Sequence, residues 1–126
     1  MLEKGIKNTS TVIVDTNNTA AGMGSGDLQV FATPAMVALM ENAAMEAVAP
    51  FLPEGSSTVG AEICTTHIKP SGIGAKISAT AILTAIEGRK LIFEIEACDS
   101  EGIIGKGTHT RYIIDKERFL AKINKA

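Results

Sequence analysis

Phe31-Ala32-Thr33-Pro34-Ala35-Met36-Val37-Ala38-Leu39-Met40-Glu41-Asn42-Ala43-Ala44-Met45-Glu46-Ala47-Val48 is the stretch that decides the architecture. From Pro34 to Val48 the only strongly polar side chains are Glu41, Asn42 and Glu46. A surface helix needs one polar face, so the composition predicts a buried central rod that the rest of the chain must wrap. Thr33 is an acceptable N-cap, Pro34 suits the first helical position, and Pro50 and Pro53 close the segment. Glu41 is the odd residue. Val37, Ala38, Ala44 and Met45 surround it at helical spacing, and a carboxylate in apolar company needs a partner or a task.

Working outward, residues 1 to 8 are polar and read as loose, and Thr9 to Asp15 reads as a first strand through its β-branched run. From Thr16 to Asp27 the small residues and glycines, Gly22-Met23-Gly24-Ser25-Gly26 among them, show no periodicity and predict a mobile loop ahead of the helix. Its place suits either a lid or a plain connection.

Beyond the helix, period-two alternation predicts four further strands. In Ser57 to Lys69, Val59, Ala61, Ile63, Thr65 and His67 share one face, with Gly60, Glu62, Cys64, Thr66 and Ile68 on the other. Lys76 to Glu87 carries Ile77, Ala79, Ala81, Leu83 and Ala85 inward; the next strand carries Leu91, Phe93, Ile95 and Ala97. In Ile103 to Asp115, Gly105, Gly107, His109 and Arg111 share a face, and the glycines suggest close approach of another backbone, the buried helix. Lys116 to Lys125 reads as a short amphipathic helix. The expected fold is α+β, a five-stranded antiparallel sheet curled around one long helix. Its exposed edge predicts pairing with a second copy, a homodimer at least.

The 126 residues suit one domain spanning 1–126. A charge of −2 gives no field for gripping nucleic acid. No basic and apolar leader opens the chain and no run is long enough to cross a bilayer, so a cytoplasmic location without membrane partners is expected. Cys64 and Cys98 are expected to remain thiols. His67, His109 and the cysteines lack metal-ligand spacing, so neither a metal nor another cofactor is expected.

Thr33, Glu41 and His67 together offer a hydroxyl, a carboxylate and an imidazole, the parts of an acyl-transfer site. Taken singly, Thr33 reads as a cap and His67 as a satisfied core histidine; Glu41 has fewer structural explanations. Eight helical residues at about 1.5 Å each put Thr33 roughly 12 Å from Glu41, which favours a site shared by two subunits. Arg111 and His109 either face a ligand or solvate an edge. Lys69, Lys76, Arg89, Lys116 and Arg118 are placed to meet the phosphates of a nucleotide carrier or simply to be scattered surface charge.

Val30-Phe31-Ala32-Thr33, Met36-Val37 with Leu39-Met40-Glu41, Val59-Gly60, Ile63-Cys64-Thr65-Thr66-His67, Glu87-Gly88-Arg89 and Gly105-Lys106-Gly107-Thr108-His109 together resemble the hotdog-fold thioesterases, most closely the fluoroacetyl-CoA thioesterase group. The resemblance runs nearly the full length. It implies a Thr33/Glu41/His67 catalytic set, a backbone contact from Gly60 to the thioester, an Arg111 that either touches the ligand or stands behind the residues that do, and metal-free hydrolysis of an acyl-CoA in a dimer; Gly60, Arg111 and His109 are thus the expected substrate-binding residues. One departure matters. Members selective for fluoroacetyl-CoA resemble one another in a longer, aromatic-bearing lid, whereas Ala20 to Gln29 here is short and lacks aromatics, so the catalytic set carries over and the fluorine selectivity does not. The competing expectation is a non-catalytic acyl-CoA-binding module. A hotdog dehydratase fits less well, since no Asp sits beside His67.

Overall fold

The computed structural model describes residues 1–125. Five strands, β1 (Lys7–Ile13), β2 (Ser56–His67), β3 (Lys76–Glu87), β4 (Lys90–Asp99) and β5 (Gly102–Asp115), form one antiparallel sheet in the order β1-β3-β4-β5-β2. Among the described residues three α-helices accompany it: α1 (Ala20–Met23), α2 (Thr33–Val48) and α3 (Lys116–Ile123). α2 lies on the concave face. Its Met36, Met40, Ala43, Ala44, Ala47 and Val48 are buried with Ile77, Ala79, Ala81 and Leu83 of β3, Leu91, Phe93, Ile95 and Ala97 of β4, and Ile104 of β5. Alanines on both α2 and β3 let the helix sit close to the sheet, and Ser10 Oγ donates to Asn42 Oδ1 at 2.7 Å to fix its rotation.

The architecture is the one expected, with local corrections. β1 begins at Lys7 and ends at Ile13, because Asp15 is taken up as a cap: its Oδ1 accepts from the Asn17 N–H at 2.8 Å. The supposed mobile loop is folded. Thr16–Asn18 form a 3-10 turn, and α1 is closed by Gly24 at φ 75°. Thr19, fully buried, accepts from the Gly22 N–H at 3.0 Å, and a Cβ on Gly22 would collide with the Thr16 carbonyl. The small residues there serve tight packing, a use that leaves no periodicity.

The helix is less enclosed than its composition suggested. The sheet covers one side of α2, while Val37, Leu39, Glu41 and Met45 stay half-buried and Ala38 and Asn42 exposed. Ala32, not Thr33, is the N-cap residue, and it contributes no side-chain cap.

The largest correction concerns β2. Gly60 pairs with Arg111 and Glu62 with Thr110, leaving Ala61 as a bulge. One extra residue inverts the alternation on one side of it. Gly60 therefore points to the helix side together with Ile63, Thr65 and His67, rather than opposite to them. The glycines of β5 are needed for more than the helix. A Cβ on Gly105 would strike the Thr66 carbonyl and come within 2.7 Å of Met36 Sδ, and one on Gly107 would strike the Cys64 carbonyl.

Candidate active site

Two clusters of reactive groups lie on the helix side of β2. The first is at the start of α2. The Phe31 N–H donates to the Ser71 carbonyl at 2.8 Å, and the buried Phe31 ring meets the His67 ring edge-on, with centroids 6.4 Å apart. That anchor sets the helix start against the end of β2 and leaves Thr33 Oγ1 2.8 Å from His67 Nδ1. Thr33 is not a cap; its hydroxyl is spent on the imidazole. His67 Nε2 is buried and has no hydrogen-bond partner among the described residues. An orphaned ring nitrogen is costly unless a ligand or substrate completes it. Burial lowers the His67 pKa from 6.5, and the Lys69 backbone, which favours the charged ring, offsets only part of that. Beside the pair opens a cleft of about 530 Å³, lined by Ser25, Phe31, Thr33, Pro34, His67 and Lys69 among others. Lys69 is not free to grip a phosphate, since its Nζ pairs with Asp99 and with Glu101, the latter at 3.3 Å, and Ser71 Oγ donates to the same Asp99 carboxylate at 3.2 Å.

The second cluster surrounds Gly60. The place where its Cβ would stand is 2.9 Å from Glu41 Oε2, 3.3 Å from Arg111 Nη1 and 3.3 Å from His109 Cε1. A missing methyl group is thus what lets the carboxylate of α2 descend onto β2. No hydrogen bond or ion pair to the Glu41 carboxylate is present among the described residues, so its oxygens are available. Arg111, 6 % exposed, donates from Nε to Thr58 Oγ1 at 2.8 Å, from Nη2 to the Thr58 carbonyl at 3.0 Å and from Nη1 to His109 Nε2 at 3.2 Å. Burial lowers its pKa while the Glu41 charge pulls the other way. His109 is 1 % exposed with both ring nitrogens engaged, so it neither faces a ligand nor solvates an edge. Thr58 went unnoticed in the sequence; the register pairing Thr58 with Ile113 and Gly60 with Arg111 is what brings it to the guanidinium.

The clusters are well separated within one chain. From Gly60 to His67 the ladder with β5 advances from Arg111 to Gly105. Those six steps at about 3.3 Å each amount to roughly 20 Å. Glu41 makes no hydrogen bond to Thr33 or His67 among the described residues.

Residues 14–117 match the family model described as FlK, fluoroacetyl-CoA-specific thioesterase. The fluoroacetyl-CoA thioesterase of Streptantibioticus cattleyicolor is 43 % identical over 95 residues, covering 75 % of this chain and 68 % of its own. The solved fluoroacetyl-CoA thioesterase FlK superposes with a TM-score of 0.91 at 35 % identity, over 98 % of this chain and 96 % of that one. A threonine-to-serine FlK variant in complex with acetyl-CoA gives a TM-score of 0.91 at 34 % identity, over 97 % and 96 %. The curled sheet around α2 agrees with these matches along nearly the whole chain, and the chain belongs to the fluoroacetyl-CoA-specific thioesterase family of hotdog-fold thioester hydrolases.

Proposed function

We propose that this chain hydrolyses a small or medium acyl-CoA thioester at a site built by two copies, with Thr33 and His67 from one and Glu41 from the other. The observation that carries this reading is the separation of the two halves: Gly60 and His67, which anchor them on β2, stand roughly 20 Å apart, Thr33 and Glu41 stand about 12 Å apart along α2, and β2 is an edge of the sheet. Antiparallel pairing of β2 with its own copy about a two-fold axis near Cys64, the midpoint of the six steps, sets Gly60 of one copy opposite His67 of the other. The same pairing satisfies the open edge.

In that site the acyl group lies between the halves. Glu41 either attacks the carbonyl carbon to give a mixed anhydride that water then cleaves, or activates the water that attacks that carbon directly. The backbone N–H groups near Gly60 or at the uncapped start of α2 receive the developing oxyanion, and the C–S bond then breaks. His67 carries the proton lost by that water through Nε2 to the leaving CoA thiolate, its ring held by Thr33. Arg111 balances the Glu41 charge. Binding of an acetyl-CoA by the FlK variant supports a CoA thioester as substrate. The absence of aromatics from residues 20–29 supports a pocket that does not select for fluorine. The match to thioesterases along most of the chain favours hydrolysis over a mere binding module.

The test is release of free thiol from acyl-CoAs ranging from acetyl to aromatic, followed by mixing two inactive variants, Thr33→Ala and Glu41→Ala. Random exchange of protomers should restore about a quarter of the parental sites, because half the dimers are mixed and each mixed dimer holds one intact site. No recovery in proven mixed dimers removes the shared site; no thiol release from any CoA thioester removes the hydrolase.

A further inference from the structure

His109, 1 % exposed, is a buried titratable side chain that the proposed reaction does not use, and its two partners leave it no choice of tautomer. The Glu62 carbonyl, 2.8 Å from Nδ1, only accepts, so Nδ1 carries the proton. The Arg111 guanidinium, 3.2 Å from Nε2, only donates, so Nε2 presents a lone pair. The carbonyl belongs to the residue directly after the Ala61 bulge, and the guanidinium is the one beside Glu41 and Gly60.

We infer that His109 is a positioning residue: as the neutral Nδ1–H tautomer it braces the β2 bulge against Nη1 of Arg111 and so holds the guanidinium in place at the Glu41 carboxylate. Thr58 grips the Nε and Nη2 side of Arg111; His109 is what holds Nη1. The inference rests on the hydrolase reading for its kinetic consequences only. Protonating Nε2 would set one N–H against another and release that end of the guanidinium. The groups facing the ring come from every neighbouring element: Arg111 on β5, Glu41 on α2, the uncharged Glu62 carbonyl on β2, and the Phe93 ring on β4 with its centroid 6.2 Å away. Burial and Arg111 disfavour the charged imidazole while Glu62 and Glu41 favour it, and the balance lies below the ordinary 6.5.

The chain has two histidines, so long-range proton–nitrogen NMR of the imidazoles reads each tautomer in the intact protein. A protonated Nδ1 with a bare Nε2 at His109 is expected at neutral pH; a protonated Nε2 or an imidazolium there overturns the brace, whether or not the protein turns over any thioester. Three variants give the kinetic side. His109→Gln sets an amide oxygen where Nε2 stood and keeps an acceptor for Arg111, so it should retain most of kcat. His109→Asn and His109→Phe lack that acceptor and should lose about tenfold to a hundredfold in kcat with KM nearly unchanged, the scale of a misplaced reacting group. Equal activity of the Gln, Asn and Phe variants overturns the inference.

Discussion

Replacing Gly60 by alanine should separate the site from the fold. The backbone there is not left-handed, so an L-residue is accepted without strain. Alanine also loses less chain entropy than glycine on folding, by roughly 0.5–1 kcal/mol. Against that, the new Cβ comes within 2.9 Å of Glu41 Oε2, closer than carbon and oxygen tolerate, and within 3.3 Å of Arg111 Nη1 and His109 Cε1. Arg111 is fixed by three hydrogen bonds and His109 by two, so the carboxylate, which has none, is what yields. Moving it to a poorer rotamer costs about 0.5–1.5 kcal/mol, so net stability should stay within about 1 kcal/mol and the melting temperature within a few degrees. Catalysis should suffer far more. A reacting group displaced by about 1 Å loses about a hundredfold in rate, equivalent to roughly 2.7 kcal/mol of transition-state stabilisation. Thiol release gives kcat and KM, thermal unfolding gives stability, and Gly60→Ala combined with Glu41→Ala closes a cycle in which the two losses should fail to add. A Gly60→Ala protein with parental kcat, or one whose loss adds fully to that of Glu41→Ala, would refute the idea that the glycine acts through the carboxylate.

The opposite behaviour is expected at Gly107, where a Cβ runs into the backbone of β2 at Cys64 and Thr65 rather than a movable side chain. Gly107→Ala should cost at least about 3 kcal/mol in denaturant unfolding, and a loss under 1 kcal/mol would contradict the close packing of β2 on β5. Both histidines have folded pKa values held below the ordinary 6.5, chiefly by burial. As pH falls below 6.5 the unfolded chain binds protons that the folded chain refuses, so stability should decline on acidification and be pH-independent in this respect above it. His67→Gln should flatten part of that decline in melting temperature, and an unchanged slope argues against a buried neutral imidazole. If β2 pairs with its copy near Cys64, the two exposed Cys64 thiols lie within disulfide reach. Mild oxidation or a short bis-thiol reagent should then link protomers of the parent and not of Cys64→Ser, whereas a solution dimer that never links through Cys64 excludes this register.

Periodicity made much of this protein legible in its sequence. The inward faces of β3 and β4, from Ile77 to Leu83 and from Leu91 to Ala97, are buried as alternation demands, and the apolar run from Met36 to Val48 is the long helix. Thr33, Glu41 and His67 stood out because reactive groups in apolar company carry an energetic cost that composition alone reveals. What periodicity cannot register is a change of phase. The Ala61 bulge brings Gly60 and His67 to the same side of β2, and no local signal marks it, because a bulge is decided by the register of the neighbouring strand. Pairings across 53 residues, such as Arg111 with Thr58, and the diversion of Thr33 from capping α2 to holding His67, exist only once β5, β2 and the helix start are packed together. The sequence by itself determined the inward faces of β3 and β4 and which chemistry the chain can offer. The tertiary structure decided which of them meet, since a side chain's direction is set by the ladder and the helix axis and not by its own neighbours in the chain.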